Sequence, residues 1–142
     1  MLEKPQIFIS YSGHDEFEAG LLQFAFEKLL ADKNVTAWTY RRDQKRSENE
    51  IAKSIKSRIK QSIATVFLVS PSTLKYGATQ WMELAYSDAF EVDTFVLLHH
   101  LKYQELKENR KGIPPFLLSS QCNSANEWRS VAGDIKKMLK KR

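Results

Sequence analysis

Within ten residues of its start the chain reads Gln6-Ile-Phe-Ile-Ser-Tyr-Ser-Gly-His-Asp15. Ile7, Phe8 and Ile9 form an unbroken apolar run, which suits a strand buried on both faces of a parallel sheet. Ser10, Tyr11, Ser12 and Gly13 follow at once, and Asp15 stands where a helix is predicted to open. A strand that passes through small polar residues straight into a helix gathers hydroxyls and backbone N–H groups at one point. That point is the carboxyl edge of the sheet, where open α/β folds take ligands. An ordinary strand-to-helix turn carries the same residues, so the phrase constrains the fold before it constrains the chemistry.

The remaining pattern repeats this alternation. A first helix is predicted from Asp15 to Ala31, with Phe17, Leu21, Phe24, Ala25 and Lys28–Leu29 tracing its period. Val35–Thr39 reads as a second strand. The charged loop from Tyr40 to Arg46 leads to the capping box Ser47-Glu-Asn-Glu50, whose helix buries Ile51, Ile55 and Ile59. Ala64–Ser70 is a continuously apolar central strand. A helix from Thr79 to Phe90 and a strand over Thr94–Leu98 follow. Tyr103–Asn109 is a short helix stopped by Gly112 and Pro114-Pro115, and Phe116–Leu118 is the expected fifth strand. A second capping box, Ser124-Ala-Asn-Glu127, opens a last helix striped by Trp128, Val131, Ile135 and Met138–Leu139. Strands alternating with helices of ten or more residues imply right-handed βαβ crossovers. The expected fold class is α/β, a flavodoxin-like three-layer sandwich with a five-stranded parallel sheet.

At 142 residues the chain is one domain, 1–142, with room for a real core. The net charge of +5 invites a nucleic-acid partner. Its location argues otherwise. Lys136, Lys137, Lys140, Lys141 and Arg142 are undiluted by acids, and without the last seven residues 17 basic groups face 17 acidic ones. Such a basic helix end favours the helix dipole and is otherwise solvated, so no direct nucleic-acid contact is expected. No apolar run approaches the length of a membrane helix and no signal-peptide pattern opens the chain, so no membrane is expected either. The single cysteine, Cys122, excludes an internal disulfide and a thiolate zinc cluster. A reducing cytoplasm is the expected compartment.

Three elements in order resemble the Toll/interleukin-1 receptor (TIR) domain, particularly its bacterial versions. They are Phe8-Ile-Ser-Tyr-Ser12 with Asp15, the strand end Val69-Ser-Pro71, and Trp81-Met-Glu83-Leu84. The resemblance runs from Gln6 to about Leu139 and implies the fold read above. Some TIR domains recruit other TIR domains. Others, many bacterial ones among them, cleave NAD at the nicotinamide–ribose bond.

The resemblance implies that Glu83 is the catalytic glutamate, on the helix after the third strand. The family's tryptophan usually stands four residues before it, which stacks both side chains on one face. Here Trp81 stands two before, and two residues rotate by about 200°. The resemblance also implies a substrate pocket lined by Tyr11, Ser12, Gly13, Trp38, Arg41, Arg42 and Trp81. Residues Tyr40 to Ser47 correspond to the family's BB loop, which lines the pocket and contacts a neighbouring protomer. The usual Pro-Gly or lone Gly is replaced here by Asp43-Gln-Lys-Arg-Ser47. An arginine at 41 or 42 suits the diphosphate. NAD+ is then the substrate and no cofactor is implied. Self-association through TIR–TIR contacts, filaments included, and a fused or separate sensor or effector protein are the implied partners, with nicotinamide and ADP-ribose or a cyclic product in antiphage signalling.

Other chemistries find little support. His99 and His100 follow a strand, where neighbours face opposite ways, so at most one is expected in a pocket. Neither they nor His14 have a third ligand at recognisable spacing, so no metal site is expected. Cys122 has no partner that marks a nucleophile. No glycine-rich dinucleotide or P-loop pattern is present. A receiver domain would share the fold but calls for clustered acids where Ser10-Tyr11-Ser12 stands. The rival reading from another class is a TIR interaction module without enzymatic activity.

Overall fold

A computed structural model describes residues 4–39 and 48–141, with the backbone alone for 48–52. Five parallel strands lie in the order β2-β1-β3-β4-β5. They are β1 (Gln6–Ser10), β2 (Thr36–Thr39), β3 (Ala64–Val69), β4 (Asp93–Leu98) and β5 (Gln121–Ser124). The helices are α1 (Glu16–Leu29), α2 (Glu48–Gln61), α3 (Pro71–Tyr76), α4 (Ala78–Ala89), α5 (Tyr103–Glu108), α6 (Pro115–Ser119) and α7 (Trp128–Lys140). The chain reverses its direction of winding between β1 and β3, which makes their carboxyl ends the topological switch point of the sheet.

Strand alternation sorts the core. Ile7 and Ile9 point to one face and meet Leu22, Phe26, Val131 and Ile135 of α1 and α7. Phe8 points to the other and stacks on Trp38 at 5.1 Å, over Ile55 and Ile59 of α2. A third cluster, with Phe67, Val69, Leu84, Val96 and Leu98, lies beneath α4 and α5. Burying an aromatic such as Phe26 contributes roughly 2–3 kcal/mol by its area alone.

Three expectations are corrected. The predicted stripe of α1 is its outer face: Phe17, Leu21 and Phe24 are 73%, 55% and 70% exposed, while Ala19, Leu22 and Phe26 are buried. The helix carries apolar residues on two faces, and the sheet takes the one formed by Ala19, Leu22 and Phe26. Residues 115–119 form α6, not a strand, because Pro115 at the first helical position pre-sets the helical φ. The fifth strand is instead the polar edge segment Gln121–Ser124, paired from Phe95↔Gln121 to Leu98↔Ser124. Finally, α3 was not expected. Ser70 caps it, accepting from Ser72 N–H while Thr73 Oγ1 accepts from Ser70 N–H at 3.1 Å, with Pro71 opening the helix. The Ser124–Glu127 box forms as read, with Glu127 Oε1 accepting from Ser124 N–H at 3.1 Å. The Ser47–Glu50 box, like Tyr40, Arg41 and Arg42, lies outside the described side chains.

Candidate functional site

The site begins with how α4 is set down. Gly77 joins α3 to α4, and a Cβ there would lie 2.2 Å from the Thr73 carbonyl oxygen, so only glycine permits the junction. The helix then runs back across the sheet and buries Gln80, Glu83, Leu84 and Ser87, an i, i+3, i+4, i+7 face of which three members are polar. Such a face needs partners on the strands beneath it. Ser87 finds Thr65 Oγ1 at 3.1 Å and Thr94 Oγ1 at 2.8 Å. Glu83 Oε1 accepts from Ser10 Oγ at 2.6 Å. Gln80 Nε2 donates to the Leu68 carbonyl at 3.0 Å.

Glu83 is 2% exposed, and its burial drives the carboxyl up to about 8, against a smaller lowering by the Ser10 hydroxyl. Burial raises a carboxyl because the charged form loses its water. Burial therefore favours the protonated acid over the carboxylate near neutral pH. Ser10 ends β1 and is paired in register with Phe67 of β3, so the acid sits under the switch point. A titratable group displaced this far at such a place marks a candidate functional site.

The other expected site residues divide. Ser12 is buried and shares a 2.6 Å hydrogen bond with Ser72, tying the β1 loop to α3 across the switch point. Beside it Ser70 Oγ donates to Asp15 at 2.5 Å. Gly13 is exposed. Tyr11 packs on the α1 and α7 side of the sheet, away from Glu83. Trp38 is not brought to the edge: it is 2% exposed between Phe8 and the Arg58 guanidinium, which lies 5.5 Å from its ring. Trp81 lies within α4, its N–H bonded to the Gly77 carbonyl at 3.0 Å, and it leans on the core beneath α4 and α5. It is half-buried against the cluster that holds Leu84, and is not among the fully buried residues Gln80, Glu83, Leu84 and Ser87 of the helix. Arg41 and Arg42 lie outside the described residues.

The histidines correct another expectation. Both line one hollow of about 490 Å³ with Asp15, Phe17 and Ser72, because β4 ends at Leu98 and His100 adopts a left-handed φ of 54°. Strand alternation no longer applies beyond that end. Their rings lie 4.0 Å apart. Among the described residues no cluster of three His, Cys, Asp or Glu side chains is placed to hold a metal ion.

The model of the family "Thoeris protein ThsB, TIR-like domain" matches residues 8–105, from β1 into α5. The chain belongs to this TIR-like family. The match includes Ser10, Asp15, the Ser70 cap and Glu83, so all three sequence elements fall inside it. Membership gives the TIR-like domain its coarse function, bacterial antiphage signalling. No curated protein is similar enough in sequence to count as a relative. Among solved structures, a 2-desoxiribosyltransferase from Leishmania mexicana superposes with a TM-score of 0.54 at 14% identity. The superposition covers 66% of this chain and 64% of that enzyme, and it shows the fold alone. Among the described residues no helix is long and apolar enough to cross a membrane.

Proposed function

We propose that this TIR-like domain cleaves the bond between nicotinamide and ribose in NAD+, with Glu83 as the catalytic carboxylate. The observation that carries the reading is the buried acid itself, held by Ser10 beneath the switch point. NAD+ brings a cationic pyridinium ring. Beside it the carboxylate is favoured over the acid, so the ligand whose chemistry needs the charge also restores it, and the proton leaves to solvent.

When the C1′–N bond breaks, its electron pair goes to the ring, which departs as neutral nicotinamide without a general acid. The positive charge left on the ribose resembles the oxocarbenium-like state of glycoside hydrolysis. Glu83 stabilises that charge in a dry site, where a fixed carboxylate acts most strongly. Water then adds at C1′ and loses a proton to give ADP-ribose. Alternatively an adenine nitrogen of the same molecule closes a cyclic product that serves as the signal. NAD+ is substrate here and no cofactor is required. Arg41 or Arg42 binds the diphosphate, and the 40–47 loop of a neighbouring copy completes the pocket in an assembly, open and filamentous unless its rotation closes. A fused or separate effector protein receives the signal.

A second reading is favoured by a specific observation. Trp81 stands two residues before Glu83 instead of four and packs beside Leu84, and Phe17, Leu21 and Phe24 stand exposed on α1. Both suit an interaction module that recruits partners without chemistry. Incubating the purified domain and its Glu83→Gln variant with NAD+, concentrated and dilute, and resolving nicotinamide and nucleotide products by chromatography decides between them. Release of nicotinamide by the native chain and not by the variant is expected. A native chain that leaves NAD+ intact at every concentration overturns the enzymatic reading.

A further inference from the structure

We infer that Gln80 is a substrate-contacting residue, whose Oε1 accepts a hydrogen bond from the nicotinamide-riboside half of NAD+. The inference deepens the reading of Glu83 as the catalytic carboxylate and rests on it. Gln80 is 1% exposed, and its Oε1 has no hydrogen-bond partner. Its Nε2 donates to the Leu68 carbonyl at 3.0 Å, which assigns the amide's nitrogen and leaves Oε1 as the acceptor without a partner. A buried acceptor without a partner destabilises a protein by about 1–3 kcal/mol and requires a reason. Among the described residues only Thr39 Oγ1, at the end of β2 beside the 40–47 loop, shares this condition.

The reason lies in the rest of the face. At its lower end, where β3 and β4 begin, the polar seam closes on itself through Ser87, Thr65 and Thr94. At its upper end the Oε1 of Gln80 is left without a partner. Gln80 stands three residues before Glu83 on the same buried face, so their Cβ atoms are about 5–6 Å apart. It bonds to Leu68, one residue beyond the Phe67 that pairs with Ser10, and so lies nearer the carboxyl edge than Glu83 does. A molecule entering from that edge with its reacting carbon at Glu83 presents its neighbouring groups to Gln80. The donors nearest the reacting carbon on that half of NAD+ are the carboxamide N–H groups and the 2′-hydroxyl of the nicotinamide ribose, and the proposed contact is to one of these. A buried site built to accept from a donor rejects analogues that lack it.

The test is a cycle with native protein and Gln80→Met, using NAD+, nicotinic acid adenine dinucleotide, and NAD+ lacking the 2′-hydroxyl of the nicotinamide ribose. Each analogue is given to both proteins, so its intrinsic reactivity cancels in the ratio. The expected result is a loss of about 10–100-fold in kcat/KM on NAD+ for Gln80→Met, shrinking to less than about threefold on one of the analogues. Which analogue abolishes the loss identifies the donor. An equal loss on all three substrates reduces Gln80 to a strut between α4 and β3 and overturns the inference, as does an unimpaired variant. Should Gln80→Met not fold, the side-chain amide resonances of Gln80 in ¹⁵N-labelled native protein give the answer. They are expected to shift with NAD+ and not with the analogue lacking the donor, and identical shifts with all three overturn it. A native chain that neither binds nor cleaves NAD+ removes the reading of Glu83 and this inference together. Cleavage with equal losses removes the inference alone.

Discussion

Ser10 and Glu83 are 73 residues apart in the chain, and their side chains meet at 2.6 Å beneath the carboxyl edge of the sheet. The hydroxyl donates and the carboxyl accepts, so Ser10 opposes the rise imposed by burial. One strand end and one helix face thus create a group whose charge depends on what lies beside it.

Stability is expected to fall as pH rises from about 4.5 to about 8. Glu83 keeps its proton in the folded state up to about 8, against an ordinary value of 4.5. Below both values the proton is bound in either state and the contribution is whole. Between them only the unfolded chain releases it, so raising pH favours unfolding, by roughly 5 kcal/mol across the window at 1.4 kcal/mol per unit. Glu83→Gln removes this slope. Urea denaturation of both proteins at pH 5, 7 and 9 checks it, and parallel curves would contradict it.

The rate should run the other way. If the carboxylate is the working form, kcat/KM for NAD+ rises about tenfold per pH unit and levels above about 8, roughly fiftyfold higher at pH 8 than at pH 6. A profile flat between pH 6 and 8 would mean that Glu83 is ionised in the free domain.

Ser10→Ala takes away a hydrogen bond that lowers the Glu83 value, so the rate profile should shift to higher pH. Activity then drops more at pH 7 than at pH 9. A uniform drop at both would assign Ser10 to packing alone.

The two faces of α1 should respond differently to truncation. Phe17→Ser and Phe24→Ser are expected to change stability by no more than about 0.5 kcal/mol, whereas Phe26→Ala, at a fully buried position, costs about 3–5 kcal/mol. Equilibrium unfolding distinguishes them, and a comparable loss at Phe24 would place that ring in the core.

Specific activity should rise steeply from nanomolar to high micromolar enzyme, since the proposed pocket is completed by a neighbour. Initial rates read alongside sedimentation velocity check this. Constant specific activity in a chain that stays monomeric would show that one copy suffices.

The strands that needed an apolar run were legible at once, β1 to the residue, because burial on both faces leaves no other composition. Segments whose identity depends on neighbours were not. Phe116-Leu-Leu118 satisfies strand and helix alike, and the polar edge strand Gln121–Ser124 carries no apolar signal at all. Glu83 was found through its family motif. Gln80, the substrate contact inferred above, had no sequence signal beyond its place three residues before Glu83.

What the sequence alone determined is therefore the alternation of strands and helices, the parallel sheet it forces, and the polar phrase at one strand end. Only the tertiary structure decided which apolar face of α1 meets the sheet, that Trp38 is core, and that the α4 face holding Gln80, Glu83 and Ser87 is buried. Periodicity states which residues share a face. Which face is buried, and what a buried acid meets there, depends on residues brought together from distant parts of the chain.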